Sequence, residues 1–450
     1  MKRYIKLLLL ILLVSFSYCK KYLDEKPDKK LVVPTTIQDA QAMLDNSSVF
    51  NMRGPLSIQI AADEHYLLTE DWNTASLTDK NSYIWDDDIF NDGESNDWSF
   101  QYVTIYYCNI ILDALSENNI IGNPEELDNI KGQCLFNRSF AFYNLLQTFA
   151  KPFSIKSDQD EIGIPLRLTS DPNVPSVRAN LKDCYERVIN DLILSFELLP
   201  GQVNVLTRAS KLAANALLAR VFLSIEDYQN AFVQANNVIN RYDVLLNYND
   251  LVLTSNNPFE RFNREVIFHS VTASRSIMLA PSCKIDSTLY QAYESNDLRV
   301  KLFFQNNLDG TTSYKGSYNG SNSLFNGLAT DEIFLIRAEC LARKGELDSA
   351  IMDLNHLLET RYETGGFIPF NSSIASETLD RILLERRKQL IFRSTRWSDL
   401  RRLNNDPQRS ITIKRNIDGK EYTLIPNDNR YVFPIPLTVV LMSGIEQNPR

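Results

Sequence analysis

Apolar residues recur every three or four positions along most of this chain, a spacing that places them on one face of a helix. The first long run passes through Trp98, Tyr102, Ile105, Tyr106, Asn109, Ile110 and Leu112. A second covers about 125–149 and stops at Lys151-Pro152; others fall at about 181–199, 209–224, 227–241, 330–344, 346–362 and 377–403. Nearer the start, Thr36 stands where it can cap a helix, with Asp39 in the third helical position ahead of Ala40, Met43 and Leu44. The period fails twice. Residues 65–97 mix Asp, Asn, Ser and aromatics, which predicts a long ordered surface excursion, and 247–328 is dense in Asn, Ser, Tyr and Phe with Gly310, Gly316, Gly320 and Gly327. Short strands are expected in the latter, for example at 265–271. The tail carries strand-like pieces at 410–415 and 421–425 and then an extended, proline-rich end. The expected fold class is mostly α with a few short strands.

Two stretches share one helix-turn-helix pattern. Ala219 to Phe232 and Ala338 to Ile351 align with Ala231 on Ala350, Asp227 on Glu346 and Tyr228 on Leu347. The pattern resembles a tetratricopeptide repeat. A small residue at Ala231 or Ala350 lets the second helix approach the first, while Tyr228 or Leu347 fills the notch at the turn. Such pairs cannot bury their apolar faces alone, so they must stack on neighbours. The two alanines lie 119 positions apart, too far for tandem repeats. The expectation is a tetratricopeptide-like helix-pair scaffold, at about 98–241 and 330–403, with large irregular insertions at about 65–97 and 247–328.

The N-terminus changes the picture from a plain helical protein to an exported one. Lys2, Arg3 and Lys6 precede an apolar run from Leu7 to Val14, followed by Ser15 to Tyr18 and then Cys19. The run is too short for a hydrocarbon core that needs about 20 apolar residues, and it fits a signal peptide over 1–18. Cys19 after that run resembles the lipidation site of a bacterial lipoprotein, although Tyr18 stands where a small residue is usual. Residues 19–34 then read as a lipidated tether and 35–450 as a single helical domain. The formal charge is −9, and cleavage would leave about −12; a chain this acidic is not built to neutralise phosphates, so no nucleic-acid partner is expected. Cys108, Cys134, Cys184, Cys283 and Cys340 are scattered without a C-x-x-C pair. They suggest neither a zinc ribbon nor a disulfide framework, and those on helical patterns read as small core residues.

Glu385 to Arg402 is the most distinctive stretch, with Glu385-Arg386-Arg387, Leu390, Phe392, Arg396-Trp397 and Asp399-Leu400. Read by itself it is a helix whose Leu379, Ile382, Leu383, Leu390, Trp397 and Leu400 face the core. Its charges alternate in sign three or four apart, close enough to pair on the surface or, where buried, obliged to satisfy one another. Their first role is then to hold the fold. The stretch closely resembles the SusD/RagB signature E-R-R-x-E-L-x-F-E-G-x-R-W-x-D-L-x-R, with Gln389 and Arg393 in place of acids and Ser394 in place of glycine. Tyr22 to Pro27 after Cys19, Phe136 to Tyr143, Phe433 to Pro436 and Gln447-Asn448-Pro449 resemble further family elements in the same order. The resemblance implies a lipoprotein at the bacterial outer membrane, lipid-anchored and facing the cell surface. It would sit on a SusC-like TonB-dependent transporter and capture oligosaccharide or peptide nutrients. Two other readings stand beside it, a tetratricopeptide-like adaptor without a small ligand and a surface glycoside hydrolase.

No nucleophile, zinc or phosphate motif is present, and His65, His269 and His356 stand alone. No catalytic residue and no cofactor is expected. Asp86, Asp88 and Asp92 belong to an oxygen-rich run around Gly93 that weakly suggests Ca2+, although Phe90 interrupts the EF-hand spacing. The stronger lead is aromatic. Trp72, Tyr83 and Trp85 in the first insertion and Tyr290, Tyr293, Tyr314 and Tyr318 in the second lie where no helix demands a core residue. Aromatic faces bind sugars and apolar side chains at shallow sites, so the two insertions are expected to meet over the scaffold and present these rings to a ligand. Trp98, on a helical pattern, is expected in the core.

Overall fold

The helical periodicities become a continuous array. In the computed structural model, which describes residues 33–91, 95–156, 160–316 and 318–450, nine helices carry the scaffold. They are α1 (Asn96–Ser116), α2 (Pro124–Phe149), α3 (Leu181–Leu198), α4 (Lys211–Ser224), α5 (Tyr228–Ile239), α6 (Thr330–Lys344), α7 (Leu347–Glu359), α8 (Ala375–Gln389) and α9 (Arg396–Leu403). Cys19, the expected signal peptide, the tether to residue 32 and Asp92 lie outside the described residues. No helix among the described residues is long and apolar enough to cross a membrane.

Local sequence sets the helix ends. Asn123, Asn180, Ser210 and Asp227 each accept a hydrogen bond from an N–H in the first turn of the helix they precede, and Pro124 occupies the first position of α2. The Thr36–Asp39 capping box forms as the sequence predicts. Each helix from α1 to α7 packs on the next in chain order, and α8 closes over α6 and α7. The two repeat-like units, α4–α5 and α6–α7, therefore stack through α5 and α6 despite the insertion between them. Ala231 and Ala350 are fully buried at the close approaches. Both turns need a left-handed residue five positions earlier: Gly345 (φ 89°) supplies it in one unit, and Glu226 (φ 62°) in the other.

Among the described residues twelve short strands decorate this array. The largest sheet has the order β1-β6-β8-β7, with β1 (His65–Tyr66), β6 (Lys284–Ile285), β7 (Phe304–Asn306) and β8 (Thr312–Tyr314). Its antiparallel β1–β6 pair sets His65 opposite Ile285 and Tyr66 opposite Lys284, tying the first insertion to the second. Near the C-terminus β11 (Ile413–Ile417) and β12 (Lys420–Leu424) form a hairpin.

Three expectations are corrected. Residues 65–97 are not one irregular excursion: they hold short helices at Thr69–Thr74 and Leu77–Tyr83, and they bury Ile84, Ile89 and Phe90. The end of the chain is not wholly extended, since Leu437–Ser443 is helical. The segment 377–403 is not one helix. It breaks between α8 and α9, where Phe392 (φ 56°) and Ser394 (φ 57°) adopt left-handed backbone. Side chains just before the first insertion hold the break: Phe392 N–H donates to Glu64 (3.2 Å), Ser394 N–H donates to Gln59 Oε1 (2.9 Å), and Gln59 Nε2 donates to Glu64 (2.5 Å). A left-handed conformation costs a side-chain-bearing residue about 1 kcal/mol or more, and the Ser394 hydroxyl is buried without a partner. Ser394→Gly is accordingly expected to stabilise the protein by about 1 kcal/mol, read as a shift in the midpoint of chemical denaturation.

Candidate functional site

The charges of the signature segment reach partners across the whole fold. Arg402 forms a fork on Glu339 of α6 (2.5 and 2.8 Å) and donates to Asp399 (2.9 Å), whose second oxygen takes Arg386 Nε (2.8 Å). Arg393 and Gln389 donate to Asp331 (2.7 and 2.9 Å), Arg220 forks onto Glu332, and Arg299 joins Asp297 to Glu385. All are buried. Burial pushes the Glu339 carboxyl up, but the Arg402 and Arg343 guanidiniums outweigh it and hold it at about 2. This is an internal network, with Arg386 Nη1 and Arg393 Nη2 its unpartnered atoms among the described residues, rather than the surface pairing that the sequence also allowed.

At the margin of the network the signature touches a cleft. Arg396 forks onto Asp63 (2.6 and 2.9 Å), and Arg387 reaches both Asp63 (3.0 Å) and Asp286 (3.4 Å), linking the two insertions to α8 and α9. Although burial opposes it, these guanidiniums hold Asp63 well below the usual carboxylate range. Above them opens a cleft of about 560 Å³, walled by Asp63 just before the first insertion, His65 and Tyr66 within it, Asp286 and Thr288 of the second, and Lys414 and Asn416 of the hairpin. Beneath it the Arg415 guanidinium donates to the carbonyls of Tyr83, Ile60, Ala61 and Ala62 and lies over the Tyr83 and Trp85 rings. The Tyr66 and Thr288 hydroxyls, the Asn416 amide nitrogen and the second Asp286 oxygen carry no hydrogen bond among the described residues. Tyr66 is half-buried, with its ring on the wall. Directional groups next to an aromatic face suit a polyhydroxylated ligand.

His65 lies in the floor, buried, with neither ring nitrogen hydrogen-bonded. Burial, and then the Arg415 charge, push its pKa well below 6.5. The native ring stays neutral where the unfolded one would take a proton. Stability is therefore fully present above pH 6.5 and falls as the pH drops below it, by at most about 1.4 kcal/mol per unit. His65→Phe is expected to remove this component, so that the variant gains on the wild type between pH 7 and pH 5 in denaturation curves.

The aromatic residues singled out from the sequence are brought together, but as core. Trp85 is 1% exposed, and its Nε1 donates to Ala61 O (3.0 Å); Tyr83 is equally buried, and its hydroxyl accepts from Leu67 N–H (2.9 Å). Tyr293 donates to Lys388 O (2.8 Å), and Tyr318 donates to Glu265. These four are corrected from ligand platform to core, because apolar clusters enclose them: Trp85 lies in that of the helical scaffold, and Tyr83, Tyr293 and Tyr318 in one shared by both insertions. Trp72, Tyr290 and Tyr314 are half-buried against the same cluster, with Lys80 over the Trp72 ring at 5.2 Å. Asp86 and Asp88 each accept a backbone N–H of their own turn. Among the described residues no three acid, histidine or cysteine groups are placed to hold a metal ion. Cys108, Cys134, Cys184, Cys283 and Cys340, the cysteines among the described residues, are all buried and free. Trp98 is in the core as expected, edge-on to Phe149.

Sequence reasoning missed Tyr66, Thr288 and Asn416, whose neighbours show no period that marks them. It also missed a second, apolar cleft of about 320 Å³ where Trp98, Tyr102 and Tyr106 line up along α1 one turn apart. Several of its polar groups are spent internally: Tyr102 donates to Pro165 O (2.9 Å), Asn109 to Arg167 O (2.9 Å), and Thr169 and Ser170 to Asp113 (3.1 and 2.7 Å).

Comparison with known proteins agrees along most of the chain. A family model described as starch-binding associating with outer membrane matches residues 21–223, and the model of the SusD family matches residues 295–450. SusD-like protein P2 of Formosa agariphila is 25% identical over 487 aligned positions, covering 90% of this chain and 91% of the relative. SusD-like protein P25 of the same organism is 22% identical over 57% of this chain, which spans about half (49%) of that relative. Among solved structures, a putative sugar binding protein from Bacteroides vulgatus superposes with a TM-score of 0.76 at 20% identity, covering 93% of this chain and 99% of that one. A laminarin binding SusD-like protein gives a TM-score of 0.67 at 18% identity, covering 92% and 99%. These similarities extend to the fold.

Proposed function

Since this chain belongs to the SusD/RagB family, we propose that it captures oligosaccharides in the cleft between its two insertions and passes them to a SusC-like TonB-dependent transporter. In this reading Cys19 carries a lipid that anchors the protein to the outer membrane, facing the cell surface. The observation that carries the ligand assignment is the set of unspent hydrogen-bonding groups on Tyr66, Thr288, Asp286 and Asn416 around one aromatic face. Sugars present adjacent hydroxyls that satisfy such groups, and an apolar ring face that covers a tyrosine. Peptide is the lesser alternative. The names of the related proteins, which speak of starch, sugar and laminarin, favour glycan over peptide. Binding rather than hydrolysis fits the pairing of Asp63 with two guanidiniums, which ties up one of the two acids that line the cleft.

The test is a calorimetric titration with laminari- and malto-oligosaccharides. Tyr66→Ala combined with Asn416→Ala is expected to weaken binding at least about tenfold, or about 1.4 kcal/mol, with an unchanged melting temperature. Unchanged affinity in that variant would overturn the assignment. Turnover of the oligosaccharide by the purified protein would favour a hydrolase instead.

A further inference from the structure

A third pocket, of about 300 Å³, opens beside the ends of α2 and α9 and shares no lining residue with the cleft above. Phe153, just beyond α2, forms part of its wall. The ring is half-buried and stacks on Tyr185 at 5.3 Å and 20°, so one face is backed by the core and its position is fixed. Around it stand four carboxamides: Asn404 and Asn405 at the end of α9, and Asn427 and Asn429 in the turns beyond β12. Only part of their capacity is used. Asn405 Nδ2 donates to Glu226 (2.8 Å) and Asn427 Nδ2 to Asn404 O (3.3 Å). The Oδ1 atoms of Asn405 and Asn427 and both polar atoms of the Asn429 side chain have no partner among the described residues. Lys151 and Glu161, paired at 2.8 Å, complete the rim and leave further N–H groups and an oxygen available.

The chemistry of this lining selects its ligand. A carboxamide both donates and accepts, so a set of them matches hydroxyl groups, which do the same. The fixed face of Phe153 matches the apolar face of a pyranose ring. Charge nearly cancels: Lys151 faces Glu161, and Asp428 is forked by Arg430 (2.9 and 2.7 Å). An anion would find a single cation, already paired. We propose that the pocket lined by Phe153, Asn405, Asn427 and Asn429 is a second saccharide site, selective for a neutral sugar unit. The hairpin β11–β12 joins the two sites, since Asn416 lies near its turn and Asn427 beyond its open end. A glycan chain long enough to occupy both would be held by the effective concentration of the second site as well as by the first.

The experiment titrates the full mature chain with laminarihexaose, maltohexaose and cellohexaose, followed by calorimetry and by saturation transfer to the sugar protons. The background is a Tyr66→Ala, Asn416→Ala protein in which the first cleft is disabled. Residual binding of at least one hexaose is expected there, and adding Asn427→Ala with Asn429→Ala, both exposed positions, is expected to weaken it at least tenfold. Residual binding that ignores the added pair would overturn the second site. So would its absence from the background protein when the wild type binds, or failure of all three hexaoses to bind the wild type. If the asparagine pair alone abolishes wild-type binding while the cleft variant binds normally, the second site stands and the first fails.

Discussion

Arg402→Ala is expected to destabilise the protein by about 3–5 kcal/mol, enough to prevent soluble folding at 37 °C in many proteins of ordinary stability. Arg402 is buried, forks onto Glu339 and supports Asp399. Removing it takes a cation from each of two buried carboxylates, leaving Glu339 with Arg343 alone and Asp399 with Arg386 alone. Most of the cost is the desolvation of charges left only partly compensated, not the loss of one contact. Chemical denaturation checks it, and the paired change Arg402→Met with Glu339→Leu makes the check specific. An apolar replacement of the whole pair is expected to recover much of the loss, which simple loss of packing around Arg402 would not allow.

Trp85→Ala is expected to cost about 3–5 kcal/mol through the cavity it leaves, and to affect ligand binding only through unfolding. Trp85 is fully enclosed, hydrogen-bonded to Ala61 O and pressed against the Arg415 guanidinium. A surface platform would behave oppositely, losing affinity at unchanged stability. Measuring melting temperature and oligosaccharide affinity on one preparation separates the two. Where Trp85→Ala protein remains folded at low temperature, its affinity is expected to equal that of the wild type.

The scaffold was legible because its signals are local. Thr36 and Asp39 cap where they stand, and Ala231 and Ala350 mark the two close helix approaches by their size. The N–H groups of the first turns find Asn123, Asn180, Ser210 and Asp227 next to them in the chain. The break at Phe392 and Ser394 was not, since the apolar spacing of Leu390, Trp397 and Leu400 continues across it. It is stabilised by Gln59 and Glu64, more than 300 residues away. A glycine at the Ser394 position of the family signature is the one sequence sign of a left-handed residue there.

The place of the candidate site was half legible. The two insertions do meet, through the β1–β6 pair, but the aromatics that suggested a platform are consumed in joining them. Loss of periodicity shows that a segment is not a simple helix; it does not show which side of it faces water. Tyr66, Thr288 and Asn416 gain their role from three segments converging in space, and nothing in the spacing of any one segment records that.

The most direct measurement is a crystal structure of the mature chain soaked with a neutral oligosaccharide. Sugar density against Tyr66, within hydrogen-bonding distance of Asn416 and Asp286, is the expected result. Density confined to the apolar cleft beside Tyr102 and Tyr106, with the space between the insertions holding only water at saturating sugar, would contradict it.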